Sequence, residues 1–216
     1  MTDNIIVVNN LAEHLLPAFR DLNEFNIIYT DNQLQNDLLD EVAPNFFWEL
    51  NKMYFDKFFL SISRMLDPSK QGNFENLSLN QLIEIAKQTN YSNIIELQNS
   101  IQQIKTDSSD ILTLRSKFIA HRDLDHSVNQ DLITNPIEFE KLKDILWCMA
   151  SCINKIQIHL GIEPTSFMWF RDLFGASALL KCLRHAMIYR DALINREDTS
   201  LEYEEAKNSK YGELNL

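Results

Sequence analysis

The sequence has few of the residues that tight turns require, with 4 glycines and 5 prolines among 216 residues. Tight hairpin turns and phosphate-binding loops depend on glycine. This scarcity therefore argues against β-sandwiches, barrels and nucleotide-binding loops. The 3 cysteines are odd in number and lack the paired spacing of a zinc site (Cys148, Cys152 and Cys182). A chain of this length can bury enough surface to fold without metal or disulfide, and we expect a reducing, cytoplasmic location.

Long apolar runs are also missing. The longest strongly apolar run is Ile145–Ala150, whereas a membrane-spanning helix needs ~20 apolar residues. The first residues show no basic segment followed by an apolar core, so no signal peptide is visible. We therefore expect no membrane partner.

Positive charge is scarce overall, because 20 Lys and Arg face 31 Asp and Glu, for a net charge of -11. This balance works against non-specific nucleic-acid binding, which needs concentrated Lys and Arg. Two segments depart from it, since 110–122 holds three basic residues against one acid and 181–196 holds four against one. The sequence leaves two interpretations open, a narrow basic strip on an acidic body or ordinary solvated helix faces.

Apolar residues recur with helical spacing, whereas strand-like alternation is nearly absent. The only short β-branched run is Ile5–Val8, which has no evident pairing partner. Pro44, Asp67-Pro68 and two capping boxes, Ser78-x-x-Gln81 and Asn93-x-x-Glu96, mark helix ends. The predicted helices are 33–43, 44–66, 79–89, 94–120, 136–160 and 166–195, with a break or bend near 107–110.

These patterns predict an all-α bundle of roughly five to seven helices. We divide the chain into an N-terminal extension (1–32), a helical domain (33–196) and an acidic polar tail (197–216). The helix predicted over 44–66 is apolar on most of its circumference, so we expect it to be buried on several sides.

One arginine lies where an apolar residue is expected. Arg115 shares a helical face with Ile111 and Phe118, and burying a guanidinium without a partner is costly. Its guanidinium must therefore find an anion, an acceptor cluster or the mouth of a cleft. The alternatives are a buried ion pair with an acid from another helix, or a side chain that extends its charged end to solvent. His121 follows ~240° further around an ideal helix. The two side chains would converge only if the helix ends near Ala120, or across two copies of the chain.

The spacing Arg115-x5-His121, the string LRSKFIAHRD (114–123) and the upstream segment FDKFFLSISRMLDP (55–68) resemble the AbiU branch of the HEPN proteins. These are compact α-helical domains that are common in toxin–antitoxin and phage-defence systems. The resemblance covers about residues 34–195.

The resemblance implies a homodimeric, metal-independent endoribonuclease without a cofactor, in which two copies of the motif meet in a basic cleft. It implies proton transfer by His121 and phosphate stabilisation by Arg115, which suits the chemistry of both side chains. Ser116, Lys117 and Arg122 would contact the RNA. Many relatives have Asn or Asp where this chain has Ser116. A further expected partner is an antitoxin or another defence protein.

The resemblance also admits a different class of function, because some HEPN proteins cleave nothing and act as RNA-binding or protein-binding modules. The nuclease interpretation requires Arg115 and His121 in one electropositive cleft. The module interpretation is favoured if Arg115 is ion-paired in the core and His121 faces solvent alone.

Three other sequence features have less specific interpretations. The polar string His121-x-Asp123-x-Asp125-His126 has metal-ligand residue types, but we interpret it as a loop because no second ligand cluster supports it. The pair Cys148 and Cys152 is interpreted as buried packing. The apolar cluster 167–170 is interpreted as core, with an oligomer surface as the alternative.

Overall fold

The structure is a computed structural model that describes residues 2–115, 138–168 and 175–194. Eight helices are formed by these described residues: α1 (Thr2–Ile28), α2 (Gln33–Val42), α3 (Pro44–Leu66), α4 (Leu79–Gln88), α5 (Ile94–Asp107), α6 (Ser109–Leu114), α7 (Phe139–His159) and α8 (Ala176–Ile194). A small antiparallel hairpin joins α3 to α4. Its strands are β1 (Lys70–Gln71) and β2 (Phe74–Glu75), with Lys70 opposite Glu75. Gly72 supplies the positive φ of 63° that this tight turn requires.

The all-α prediction is confirmed, although the described residues contain more helices than the predicted five to seven. One additional helix is α1, which includes the β-branched run Ile5–Val8. Here tertiary packing overrides local strand propensity, since Val8, Leu11 and Leu15 are all buried. The predicted domain boundary at residue 33 stays a prediction.

The other additional helix arises from the predicted break in the segment 94–120. Helix α5 ends at Asp107, and α6 begins at Ser109. Ser108 between them has φ -92° and ψ 5°, and its backbone N–H still donates to the Ile104 carbonyl. This break separates α5 from the short helix that precedes Arg115.

Helix α3 is buried as predicted only in its second half. Its second half buries Phe58 and Ile62 completely, as expected for an apolar helix in a core. Its first half leaves Phe46, Trp48 and Met53 more than half exposed. Lys52 lies over the Trp48 ring, with 5.6 Å between the ammonium nitrogen and the ring centroid.

The chain forms two compact units. The first comprises residues 1–19 and 55–169, and the second comprises residues 20–54 and 170–216. In the first unit α4, α5 and α7 pack against one another. In the second unit a cluster of buried side chains joins α1, α2, α3 and α8 (Ile28, Leu39, Phe47, Ala176 and Leu180). Glu24 accepts a 2.6 Å hydrogen bond from the backbone N–H of Ala176, which caps the start of α8.

Candidate functional site

Arg115 immediately follows α6 and has right-handed helical backbone geometry, with φ -53° and ψ -49°. Its Nη1 donates to Oδ1 of Asp67 at 3.0 Å. The two side chains are 33% and 30% exposed. Arg115 is therefore ion-paired with an acid from another part of the fold, and it lies at the surface of the first unit rather than in its core.

Asp67 is the residue after the last residue of α3, and Pro68 follows it. Its backbone carbonyl accepts a 2.7 Å hydrogen bond from Nδ2 of Asn80, the second residue of α4. The Oδ1 of Asn80 in turn accepts a 2.9 Å hydrogen bond from Nζ of Lys105 on α5. We call these four residues the Arg115 network: Asp67, Asn80, Lys105 and Arg115. The network joins the end of α3 to α4, to α5 and to the residue that directly follows α6.

The loop between α3 and α4 is fixed to the start of α4 by side-chain amides. Gln81 donates through Nε2 to the carbonyls of Ser69 at 3.1 Å and Asn76 at 3.3 Å. Asn76 donates through Nδ2 to the Pro68 carbonyl at 2.8 Å. These contacts hold the backbone directly after Asp67 against α4.

The two predicted capping boxes mark the starts of α4 and α5, but neither Ser78 nor Asn93 makes a side-chain capping hydrogen bond. The Gln81 side chain instead donates a hydrogen bond to the Ser69 carbonyl in the preceding loop. In the described part of the chain, Ser78 Oγ is buried without a hydrogen-bond partner. Glu96 accepts a 2.7 Å hydrogen bond from Lys155 on α7. Gln81 and Glu96 thus make hydrogen bonds with other segments of the chain and not with the helix starts that they were predicted to cap.

A shallow groove of about 280 Å³ opens beside the network. It is lined by Leu66, Pro68, Ser69, Asn80, Ile83, Glu84 and Lys105. Asn80 and Lys105 therefore belong both to the groove and to the network. The groove combines an apolar wall with an amide, an ammonium group and a carboxylate.

Four of the predicted site residues lie outside the described residues, namely Ser116, Lys117, His121 and Arg122. The structure therefore describes one of the two motif side chains. Arg115 pairs with an acid that directly follows another helix, but the pair is partly exposed and not buried as the ion-pair alternative expected. The predicted convergence of Arg115 with His121 stays a prediction, as does the basic strip over 110–122.

The basic segment 181–196 is partly neutralised where the structure describes it. Arg190 pairs with Glu41 of α2 and with its neighbour Asp191. Lys181 is exposed, and Arg184 is half-buried. Arg196 lies outside the described residues.

The two cysteines on α7 differ in burial. Cys152 is buried, as predicted, whereas Cys148 is exposed, so the prediction that both are buried is wrong for Cys148. Burial raises the pKa of the Cys152 thiol to about 11, and desolvation also raises the pKa of Cys148. Neither thiol is therefore activated as a nucleophile. Among the described residues, no three His, Cys, Asp or Glu side chains form a group that could hold a metal ion.

The remaining sequence candidates are placed only in part. Phe167 is buried against Phe19, with 4.9 Å between ring centroids, whereas Met168 is exposed. Residues 169 and 170 lie outside the described residues, as does the polar string 121–126. Within 2–115, 138–168 and 175–194, no helix is both long and apolar enough to cross a membrane.

The described residues form a fold that is almost entirely helical, which is consistent with a HEPN-like helical domain. The chain belongs to the AbiU2 family of HEPN domains, whose sequence profile matches residues 8–169. This is an abortive-infection-related family. No curated protein and no solved structure matches the chain.

Proposed function

We propose that this chain is a metal-independent endoribonuclease of a toxin–antitoxin or phage-defence (abortive infection) system, and that it acts as a homodimer. The observation that carries the proposal is the AbiU2 family match over residues 8–169. The matched range includes the whole motif from Arg115 to His121.

In the proposed reaction a ribose 2′-hydroxyl attacks the adjacent phosphate. One proton transfer removes the proton of the 2′-hydroxyl, and the other delivers a proton to the leaving 5′-oxygen. In a homodimer, His121 of one protomer can perform the first transfer and His121 of the other protomer the second. The bond from phosphorus to the 5′-oxygen breaks as the new bond to the 2′-oxygen forms. The products are a 2′,3′-cyclic phosphate and a free 5′-hydroxyl, and the reaction needs no metal-bound water.

The exposure and donors of Arg115 support its role in this reaction. Its side chain is one-third exposed, so that a phosphate oxygen can approach it from solvent. A guanidinium has five N–H donors, and a contact from Nη1 to Asp67 does not use all of them. Arginine matches the geometry of phosphate oxygens and can stabilise charge that develops in the transition state.

The test is the expression of wild type and His121→Ala in a bacterial host, with growth and bulk RNA integrity measured together. His14→Ala is the matched control, because His14 is an exposed histidine on α1 outside the motif. We expect wild type and His14→Ala to slow growth and degrade RNA, and His121→Ala to do neither at equal protein level. Equal toxicity of wild type and His121→Ala would contradict the proposal.

A second candidate function is a non-catalytic module that binds RNA or a protein. It is favoured by Ser116, which stands where many relatives have Asn or Asp. The ion pair of Arg115 with Asp67 does not by itself favour the module, because both side chains are about one-third exposed and not in the core. If the chain is such a module, wild type and both variants would leave growth and RNA the same as in a host that carries an empty vector.

A further inference from the structure

We infer that Asp67 is a positioning residue that orients the guanidinium of Arg115, and that Asn80 and Lys105 hold Asp67 in place. This inference rests on the proposed ribonuclease function, because it assigns a role to residues around the same arginine. Asp67 would not touch the RNA. It acts through its 3.0 Å contact with Nη1 of Arg115.

Both partners of the ion pair are anchored to the core by their neighbours. Asp67 follows Met65 and Leu66, which are both buried at the end of α3. Arg115 follows the fully buried Ile111 by one helical turn. The backbone positions from which the two side chains extend are therefore fixed, although the side chains themselves reach the surface.

Asn80 completes this arrangement from a third direction. The last carbonyls of a helix lack partners within it, and the Asp67 carbonyl just beyond α3 obtains one from Nδ2 of Asn80 at 2.7 Å. Asn80 follows Leu79, which is fully buried. Lys105 fixes the other end of the amide by donating to its Oδ1 at 2.9 Å. With both ends of the amide engaged, the orientation of Asn80 is determined, and with it the position of Asp67.

The exposure of the pair indicates what it contributes. Ion pairs between partly exposed side chains add little to folding stability. A long arginine side chain at a surface otherwise samples many rotamers, and a charge-assisted hydrogen bond restricts them. The main effect of Asp67 is therefore on where the Arg115 guanidinium points. Correct orientation of the guanidinium lowers the activation barrier of the reaction and leaves the affinity for RNA largely unchanged.

The experiment compares purified full-length wild type, Asp67→Asn, Arg115→Lys and the double variant on a labelled single-stranded RNA of mixed sequence. We expect Asp67→Asn to lower kcat about tenfold with little change in KM, because orientation and not binding is lost. Asp67→Glu should recover part of this loss, because it restores the carboxylate. In the Arg115→Lys background, Asp67→Asn should cause no further loss, because Asp67 acts through Arg115.

The matched control is Glu41→Gln, which removes a carboxylate that pairs with Arg190 in the second unit. It should leave kcat and KM unchanged. If Asp67→Asn loses helical circular dichroism, Asn80→Ala provides the second test, because it retains both members of the ion pair.

Each alternative outcome has a distinct meaning. An Asp67→Asn protein with wild-type kcat overturns the inference, as does a full additional loss in the Arg115→Lys background. A rise in kcat overturns it too, and would make Asp67 a competitor of phosphate for Arg115. A folded wild type that leaves the RNA intact overturns the proposed function together with this inference, and it is recognised before any variant is compared.

Discussion

Two arginines, one in each unit, are paired with carboxylates in different ways. Arg115 in the first unit contacts Asp67, and its side chain is 33% exposed. Arg190 in the second unit contacts both Glu41 and Asp191, and its side chain is 44% exposed. Hydrogen bonds with Glu41 and then with Asp191 raise the pKa of Arg190 above its usual value.

The difference lies in the local charge balance. Arg190 lies between two carboxylates, which leaves that cluster negative and unfavourable for a phosphate. The Arg115 network contains two cations and one carboxylate, Arg115 and Lys105 with Asp67. Both arginines come from segments of the sequence that are rich in basic residues. On this comparison, the surroundings of Arg115 are less negative than those of Arg190, and the predictions below test whether this difference matters for RNA.

The largest expected effect is the difference in RNA cleavage between variants that remove one or the other arginine. Arg115→Ala should reduce RNA cleavage by about 10²–10³-fold, because a donor to the developing phosphate charge is removed. Arg190→Ala should change it less than twofold, because its charge is already balanced by two acids. The measurement is the initial rate on a labelled RNA at equal protein concentration. Equal losses in both variants would remove the distinction between the two sites.

A smaller effect on cleavage is expected from removing one side-chain amide in each unit, Asn80 in the first and Asn36 in the second. Asn80→Ala should lower cleavage about three- to tenfold, because the loss of one hydrogen bond of ordinary strength releases Asp67. Asn36 makes a comparable contact in the second unit, from Nδ2 to the Thr30 carbonyl at 3.2 Å. Asn36→Ala should destabilise the fold by about 1 kcal/mol and leave cleavage unchanged. Loss of activity in both variants would indicate general destabilisation rather than positioning.

The smallest expected effect is on stability. Arg115→Ala should lower the free energy of unfolding by about 1 kcal/mol or less, because its ion pair is partly exposed and screened by solvent. High salt should reduce the difference between wild type and variant. Urea denaturation at low and high salt measures both quantities. A loss of several kcal/mol, insensitive to salt, would make Arg115 a structural residue and favour the module interpretation.

The helix ends were largely predictable because local residues determine them. Pro44 begins α3, Asp67-Pro68 follows its end, and the polar residues around Ser108 separate α5 from α6. The helical state of residues 2–28 was not predictable from the β-branched run Ile5–Val8, because it depends on a buried face that forms only in the fold. The hydrogen bonds of the two capping boxes were also wrongly predicted, since tertiary partners take Gln81 and Glu96.

The candidate site was predictable only in its central residue. An arginine on an apolar stripe predicts an anionic partner, and the structure supplies Asp67. Asn80 and Lys105 could not be found from the sequence, because they are 25 residues apart in the chain and no local pattern links an amide on α4 to an ammonium on α5. Only the packing of α4 on α5 brings them together.

The central claim is metal-independent RNA cleavage by the 2′-hydroxyl, and the chemistry of the products tests it most directly. Purified wild type would be incubated with EDTA and a short RNA, and then with the same RNA carrying a single 2′-deoxyribose on the 5′ side of the cleaved bond. We predict a 2′,3′-cyclic phosphate and a 5′-hydroxyl from the first RNA, and no cleavage at the deoxyribose in the second. Cleavage at the deoxyribose, or cleavage only when a divalent metal is added, would contradict the account.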